Sequence, residues 1–458
     1  MTGLVITTFD RPNYLRLCFE SLLMADLSKI DRIVIVDDNS TDAEVLQLTM
    51  NFIASLDCST LVIRKIENLS IKDSLLTGFK NLLEHGCDTL INLDGDAIVR
   101  NDFVDVLLTL HQKYPALITT GFNCNTLNKD GSIRHKRLYS EPGATFRQSV
   151  GGINMCFSRE TYFKFVKPAL IQSLAHGGNW DNMACINCMA ESLPVAVTVP
   201  SVVQHLGVVS SMGHGSDGEP ADTAEDFKPL SLPNVTLVGV SDGAGDGSGI
   251  KGLFKAADIS TQNINFGAIK LLSSWYTSGP DKIRNLGSKI EYSKFIIKEL
   301  VDYIDTDFFI LFQADGFILN WKSWNPEYFK YDYVGALWNF YDDNHKCGNG
   351  GFSFRSKKLH KILKEDKSIV LRNDNLINNY AEDHNICRIY RTYLENNYGI
   401  KFAPDEICEQ FSIEAWSVKP PGNKYKGSFG YHGFSVDFNE AQLPYIPYLL
   451  PNPKREIF

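Results

Sequence analysis

The sequence predicts an α/β protein of two tandem Rossmann-like domains, each a mostly parallel sheet flanked by helices. Three observations carry this. Short apolar runs that read as buried strands alternate with stretches of helical periodicity, the order that gives a parallel sheet with right-handed crossovers. A chain of 458 residues is long for one core and suits two. One stretch also occurs twice. Asp88-Thr-Leu-Ile-Asn-Leu-Asp-Gly-Asp-Ala-Ile-Val99 returns as Asp307-Phe-Phe-Ile-Leu-Phe-Gln-Ala-Asp-Gly-Phe-Ile-Leu319, an apolar strand that stops on acid. Asp88 matches Asp307 and Asp96 matches Asp315 at the same offset, while Asp94 becomes Gln313.

The first strand, Leu4–Phe9, runs into Thr8-Phe-Asp-Arg-Pro12. Asn13 is placed to cap a helix with Leu15, Cys18, Phe19 and Leu22 on one face. Arg32–Val36 is a second strand and ends in the polar cluster Asp37-Asp-Asn-Ser-Thr-Asp42. Leu61–Ile66 is a third, and a helix over 71–85 leads to the first aspartate strand. Ligands of open α/β sheets gather at the carboxyl ends of strands. Asp94 and Asp96 repel one another there unless a cation offsets them. Mn²⁺ or Mg²⁺ carrying a diphosphate fits, because a hard cation takes a few carboxylate oxygens and fills its other positions with phosphate and water. The plainer reading, a surface Asp-Gly turn, does not account for the doubling.

Three motifs stand in order within residues 4–103: Thr8-Phe-Asp-Arg-Pro12 with Glu20-Ser-Leu-Leu23, then Val36-Asp-Asp-Asn-Ser-Thr-Asp42, then Asp94-Gly-Asp96. On these residues the region resembles a family 2 glycosyltransferase of GT-A fold. The resemblance implies a nucleotide-sugar donor, a UDP-sugar first among them, held by Thr8, Asp10, Arg11 and Asp38, with Asp94 and Asp96 at the diphosphate. Val150-Gly-Gly-Ile153 resembles the acceptor side of such sites, through Gly151, Gly152 and the nearby Trp180. Asp181 resembles the family's catalytic base; the plainer reading is a helix cap. His205 resembles the late histidine that joins Asp96 on the metal, and a neutral imidazole suits Mn²⁺.

Residues 1–207 thus read as a first domain, 208–233, rich in Gly, Ser, Asp and Pro, as a linker or mobile loop, and 234–458 as a second domain. The second opens with a strand at Asn234–Val240 and the loop Asp242-Gly-Ala-Gly-Asp-Gly-Ser-Gly249. The glycine spacing is too loose for a dinucleotide site, and a flexible turn is expected. A strand over 268–272 and a helix over 292–304 follow. Cys347-Gly-Asn-Gly-Gly-Phe-Ser353 mirrors the earlier glycine pair, Ala381-Glu-Asp-His384 mirrors Trp180-Asp181, and Phe429-Gly-Tyr-His-Gly433 mirrors the histidine. Asp315 and His432 are therefore expected at a second metal and donor site, Asp383 or Glu382 as its base, and Gly350 and Gly351 on its acceptor side. With the Gln-x-Asp-Gly-Phe strand, these marks resemble a poorly characterised glycosyltransferase-like family of phage and bacterial proteins. Trp321, Trp324, Tyr333 and Trp338 are expected mainly in the core.

Net charge is −9, with no basic block. That argues against a large nucleic-acid footprint or a polybasic membrane patch, while glycan, lipid-linked, protein and modified-DNA acceptors all stay open. No apolar run reaches bilayer length and no signal peptide is legible, so a cytoplasmic protein is expected. The ten cysteines are expected as reduced thiols, Cys185 and Cys188 among them as buried helix residues. The function expected is a bifunctional, metal-dependent, inverting glycosyltransferase acting on hydroxyl acceptors, in two sequential additions. The alternative is one active N-terminal enzyme with a non-catalytic acceptor- or sugar-binding C-terminal domain. A nucleotidyltransferase would want a Gly-rich, Lys/Arg-bearing loop after the first strand, and Thr7-Thr-Phe-Asp-Arg11 is not one.

Overall fold

A computed structural model describes residues 1–128, 130–207, 222–224, 226–241, 248–276, 278–373, 380–414 and 427–433. It divides into two units, Met1–Ser231 and Leu232–Phe458.

The first unit runs β1 (Thr2–Thr8), α1 (Pro12–Leu23), β2 (Arg32–Asp37), α2 (Ala43–Ala54), β3 (Ser59–Arg64), α3 (Ile71–Glu84), β4 (Thr89–Asp94), β5 (Ala97–Val99), α4 (Phe103–Lys113), β6 (Thr119–Thr120), β7 (Arg137–Glu141), β8 (Ala144–Arg147), β9 (Asn154–Ser158), α5 (Arg159–Thr161), α6 (Lys167–His176), α7 (Trp180–Ala190), β10 (Val195–Thr198) and β11 (Val203–His205). Nine strands form one sheet in the order β3-β2-β1-β4-β9-β6-β10-β8-β7. The β3-β2-β1-β4 portion is parallel throughout. Strand β9 enters antiparallel between β4 and β6, β6 and β10 are parallel, and β8 and β7 close the edge antiparallel. The inner strands are covered on both faces. Leu4, Ile6, Ile33 and Ile35 pack with Leu15, Phe19 and Leu22 of α1, and Val5, Val34 and Val36 with Leu75, Phe79 and Leu82 of α3. That two-sided burial is why these strands read as unbroken apolar runs.

Two expectations need correction here. Asn13 does not cap α1: Pro12 opens the helix behind Arg11, which sits in the left-handed region at φ 60°, so the fixed φ of proline starts the helix. Residues 208–221 and 225 of the expected linker lie outside the described residues. Of the rest, residues 222–224 and 226–231 belong to the first unit. Gln204 donates to the Ala224 carbonyl and accepts from its N–H, both at 2.8 Å, and Ser201 Oγ donates to Asp226 Oδ1 at 2.5 Å.

The second unit comprises β12 (Leu230–Val240, begun at the boundary), α8 (Ser248–Thr261), β13 (Ile264–Leu272), α9 (Lys289–Lys298), β14 (Phe308–Phe312), β15 (Gly316–Ile318), β16 (Tyr333–Val334), β17 (Phe352–Ser356), α10 (Lys357–Glu365), α11 (Glu382–His384), α12 (Arg391–Tyr398), α13 (Asp405–Phe411), β18 (Ser412–Glu414) and β19 (Gly430–His432). Its sheets are β13-β12-β14-β17-β16 and β15-β19-β18. The helix expected over 292–304 is α9 followed by a 3₁₀ turn at Leu300–Tyr303. Residues 242–247 of the glycine-rich loop lie outside the described residues. Trp324, Tyr328, Phe354, Phe411 and Phe429 form one aromatic cluster, as expected of core residues.

The sequence repeat has a counterpart in backbone pairing. β4 pairs antiparallel with β9, Leu93 opposite Asn154, and β14 with β17, Phe312 opposite Phe352. The residue after each acid faces a histidine: Ala97 opposite His205, Gly316 opposite His432. All ten cysteines are free, nine of them buried. Among the described residues no helix is long and apolar enough to cross a membrane.

Candidate active site

In the first unit β1 leads on to β2 on one side and lies beside β4 on the other, so the crossovers part between β1 and β4, where such sheets bind ligands. Thr7 and Asp94 are paired across that point, and Thr7 Oγ1 donates to Asp94 Oδ1 at 3.4 Å. A cavity of about 1110 Å³ opens there. Every first-half residue expected in the site lines it: Thr8, Asp10, Arg11, Asp38, Asp94, Asp96, Gly151, Gly152, Trp180, Asp181 and His205.

Asp96 is the hub. Its Oδ2 accepts from Arg11 Nη1 at 2.7 Å and faces His205 Nε2 at 3.4 Å. Burial works against its charge, but His205 and Arg11 outweigh it and hold the carboxyl below its usual range. The effect on His205 is reciprocal: burial opposes its charge, Asp96 overrides, and its pKa is raised. Among the described residues Asp94 forms no ion pair. Burial first, and the neighbouring Asp96 second, push it well above the carboxylate range. A Cβ at Gly207 would collide with Asp96 Oδ2 and His205 Nε2, so glycine keeps the space around these atoms open. Two neighbouring acids, one of them held against its charge, an imidazole and a cradle that a methyl would fill suit a hard divalent cation.

On the other side of the cavity Asp181 stands in the first turn of α7, where Asn179 holds the cap position. Its Oδ2 accepts from Gly152 N and its Oδ1 from Asn182 N, both at 2.8 Å. Burial nonetheless raises its pKa, which favours proton uptake.

Two expected nucleotide ligands are partly engaged. Asp10 Oδ1 accepts from Thr41 N at 2.8 Å and Asp42 N at 2.9 Å, so this carboxylate braces the turn after β2. Asp38 Oδ1 accepts from Lys65 Nζ and Leu69 N, both at 3.0 Å. Sequence reasoning did not find Lys65, the partner of Asp38, nor Lys72, Arg134, His135 and Asp222, which line the cavity. Asp222 carries the carbonyl that faces His205 Nδ1 at 3.2 Å. No motif marks these residues.

In the second unit Asp383 repeats the Asp181 arrangement: its Oδ2 accepts from Gly350 N and its Oδ1 from His384 N, both at 2.8 Å. Asp315 Oδ1 lies 3.4 Å from His432 Nε2. Gly351 backs this histidine, with no room for a Cβ. Glu382 does not fit the role of base. Both of its oxygens accept from Arg355, at 2.8 and 2.9 Å, and the guanidinium is fully buried. It is the counter-ion of a buried arginine. Glu414, which the sequence did not flag, lies 3.5 Å from His432 Nδ1. Burial opposes charge on His432, but the two flanking carboxylates raise its pKa to about 10. Neither ring nitrogen makes a hydrogen bond within the described residues, and Nε2, beside Asp315, could take a metal only by giving up its proton.

Residues 4–170 match the family Glycosyl transferase family 2; the first unit carries a glycosyltransferase-type α/β domain. Residues 280–432 match the family Protein of unknown function (DUF5672). No curated protein matches the chain. Among solved structures, GalNAc-T7 with UDP, GalNAc and Mn²⁺ is similar over 45% of this chain and 43% of that one, at 14% identity and a TM-score of 0.36. S. aureus TarS is similar over 44% of this chain and 36% of its own, at 13% identity and TM-score 0.34. TarS 1-349 in complex with UDP gives 44% and 59%, with the same identity and score. The chain thus spans less than two thirds of each, and the likeness is remote.

Proposed function

We propose that the first unit is a metal-dependent glycosyltransferase that moves a sugar from a nucleotide diphosphate donor, a UDP-sugar foremost, to an acceptor hydroxyl. The observation that carries this is one cavity holding Asp94, Asp96 and His205 at the strand ends and Asp181 beside the glycine pair, within or next to the region matched as Glycosyl transferase family 2. Asp96 and His205, with Asp94, would hold Mn²⁺ or Mg²⁺, which neutralises charge on the leaving diphosphate. Arg11 stands on Asp96 and is placed to meet a phosphate. Thr8, Asp10 and Asp38 border the nucleotide end. Asp181 takes the proton of the acceptor hydroxyl as its oxygen attacks the anomeric carbon and the diphosphate leaves; attack from the opposite face inverts the centre.

The second unit carries out the same class of reaction in this reading, with Asp315 and His432 on its metal, Asp383 as its base and Gly350 and Gly351 on its acceptor side, so that two sugars are added in turn. Gln313 in place of a second acid favours the other reading, a binding module for acceptor or product. The acceptor class, whether glycan, lipid-linked, protein or modified DNA base, is open in both, and a cytoplasmic setting accords with free thiols throughout. Calorimetric titration with UDP and UDP-sugars, with Mn²⁺ and then a chelator, tests it. Two metal-dependent sites, one lost in Asp96→Ala and the other in Asp315→Ala, support the bifunctional enzyme. One site, lost with Asp96, makes the second unit a binding module; no nucleotide binding overturns both.

A further inference from the structure

Three further metal-ligating side chains converge on the wall of the first unit's cavity. Cys124 comes from the loop after β6, His135 from the segment before β7, and Asp222 from the returning chain after β11. One ligand atom from each lies within 4.8 Å of the other two. Cys124 and His135 are buried, and His135 and Asp222 face the cavity.

Each ligand is also oriented from behind. His135 Nδ1 is paired with Ser149 Oγ at 3.0 Å, which turns Nε2 toward Asp222 Oδ2 at 3.4 Å. Asp222 Oδ1 accepts from Arg134 Nη1 at 2.8 Å, leaving Oδ2 for the cluster. Cys124 Sγ accepts from Thr126 N at 3.3 Å and donates to Thr126 Oγ1 at 3.0 Å, which fixes its direction. Outer partners of this kind hold metal ligands in place. An ion pair with Arg134 would explain Asp222 alone; it does not explain why a buried thiol and an imidazole gather at the same carboxylate.

We propose that Cys124, His135 and Asp222 bind a zinc-class ion whose fourth position opens to the cavity. One sulfur, one nitrogen and one oxygen suit Zn²⁺, and three protein ligands with one position free are the pattern of sites that take a further oxygen ligand. The donor sets also differ in kind: thiolate and imidazole select zinc, whereas Asp94, Asp96 and His205 suit Mn²⁺ or Mg²⁺. A Cβ at Gly151 would lie 3.6 Å from Asp222 Oδ2, so the open position borders the glycine pair. Calling it the acceptor side rests on the proposed function; the ion site does not. The ion would also fasten the Asp222 backbone, whose carbonyl faces His205 Nδ1, and so join the two clusters mechanically.

The test is metal analysis of the full-length protein, purified without chelator, followed by exchange to Co²⁺ and absorption spectroscopy. The expected result is one zinc per chain, retained in Asp96→Ala and Asp315→Ala, with a sulfur-to-cobalt charge-transfer band and tetrahedral visible bands after exchange. Cys124→Ser should remove the charge-transfer band, and His135→Asn should weaken zinc binding by roughly 10-fold or more. No bound zinc, a cobalt spectrum without the sulfur band, or a band that survives Cys124→Ser in the folded variant would overturn the proposal. The wild-type spectrum decides even if a variant fails to fold. Zinc retained by a chain that binds no nucleotide would uphold the ion site while the functional reading fails.

Discussion

Replacing Glu382 by glutamine tests whether this carboxylate serves the fold of the second unit or the proposed reaction. Arg355 is fully buried, Glu382 is 4% exposed, and two hydrogen bonds of 2.8 and 2.9 Å join them. Tyr333 Oη, which accepts from Arg355 Nη2 at 3.2 Å, is neutral and cannot replace the lost charge. Removing one partner of a buried pair costs ~3–5 kcal/mol, because the other charge is left uncompensated. Glutamine keeps one acceptor oxygen, which places Glu382→Gln at about 3 kcal/mol, the lower end of that range. With a urea dependence of about 2 kcal/mol per molar, the second unit's transition should move down by roughly 1.5 M. Tryptophan fluorescence during urea titration reads it, since Trp324 and Trp338 lie in this unit's aromatic contacts. Asp383→Asn, with its two backbone contacts partly kept, is the control and should shift the midpoint far less. If Glu382→Gln keeps the wild-type midpoint but loses transfer activity, the ion-pair argument is wrong and Glu382 is the base.

Further outcomes follow from the same geometry. Asp96→Ala should abolish Mn²⁺-dependent nucleotide binding at the first unit, read by calorimetry, while circular dichroism stays unchanged. Asp181→Asn should lower kcat by about 10²–10⁴-fold with donor affinity kept. Burial raises the Asp181 pKa above the ordinary 3.8, and in its proposed role as base it works only when ionised. First-unit activity should therefore be full above the raised value and fall as pH drops through it, along a limb displaced upward from that of a free aspartate in a pH–rate profile. Glu414→Gln in an Asp96→Ala background should weaken Mn²⁺ at the second unit by roughly 10–100-fold, because the Glu414 carboxylate faces His432 Nδ1 at 3.5 Å while Nε2 faces Asp315.

The parallel half of the first sheet was legible because its strands are buried on both faces and appear as apolar runs between amphipathic helices. The doubled aspartate strand was legible for a related reason: the same pairing of acid, glycine and histidine recurs with Ala97 opposite His205 and Gly316 opposite His432. What escaped the sequence depends on contacts between distant residues. Arg355 meets Glu382 across 27 positions, and nothing near Glu382 announces that its charge is spent. Glu414 reaches His432 only because β18 and β19 run side by side. Asp222 sits in a polar stretch that reads as linker, yet it returns to the cavity wall beside His205. The start of α1 was misjudged by two residues, since a capping side chain at Asn13 was favoured over proline at the first helical position.

The glycines that crowd the two histidine clusters offer a way to separate the halves genetically. A single methyl group at position 207 or 351 occupies the space against Asp96 and His205, or against His432, without adding or removing a charge. Gly207→Ala and Gly351→Ala should therefore silence one half each while the electrostatic field of the whole chain stays as it was. Product made by the first variant but not the second, or only by the two mixed together, would reveal whether the halves act in a fixed order and whether an intermediate can pass from one chain to another.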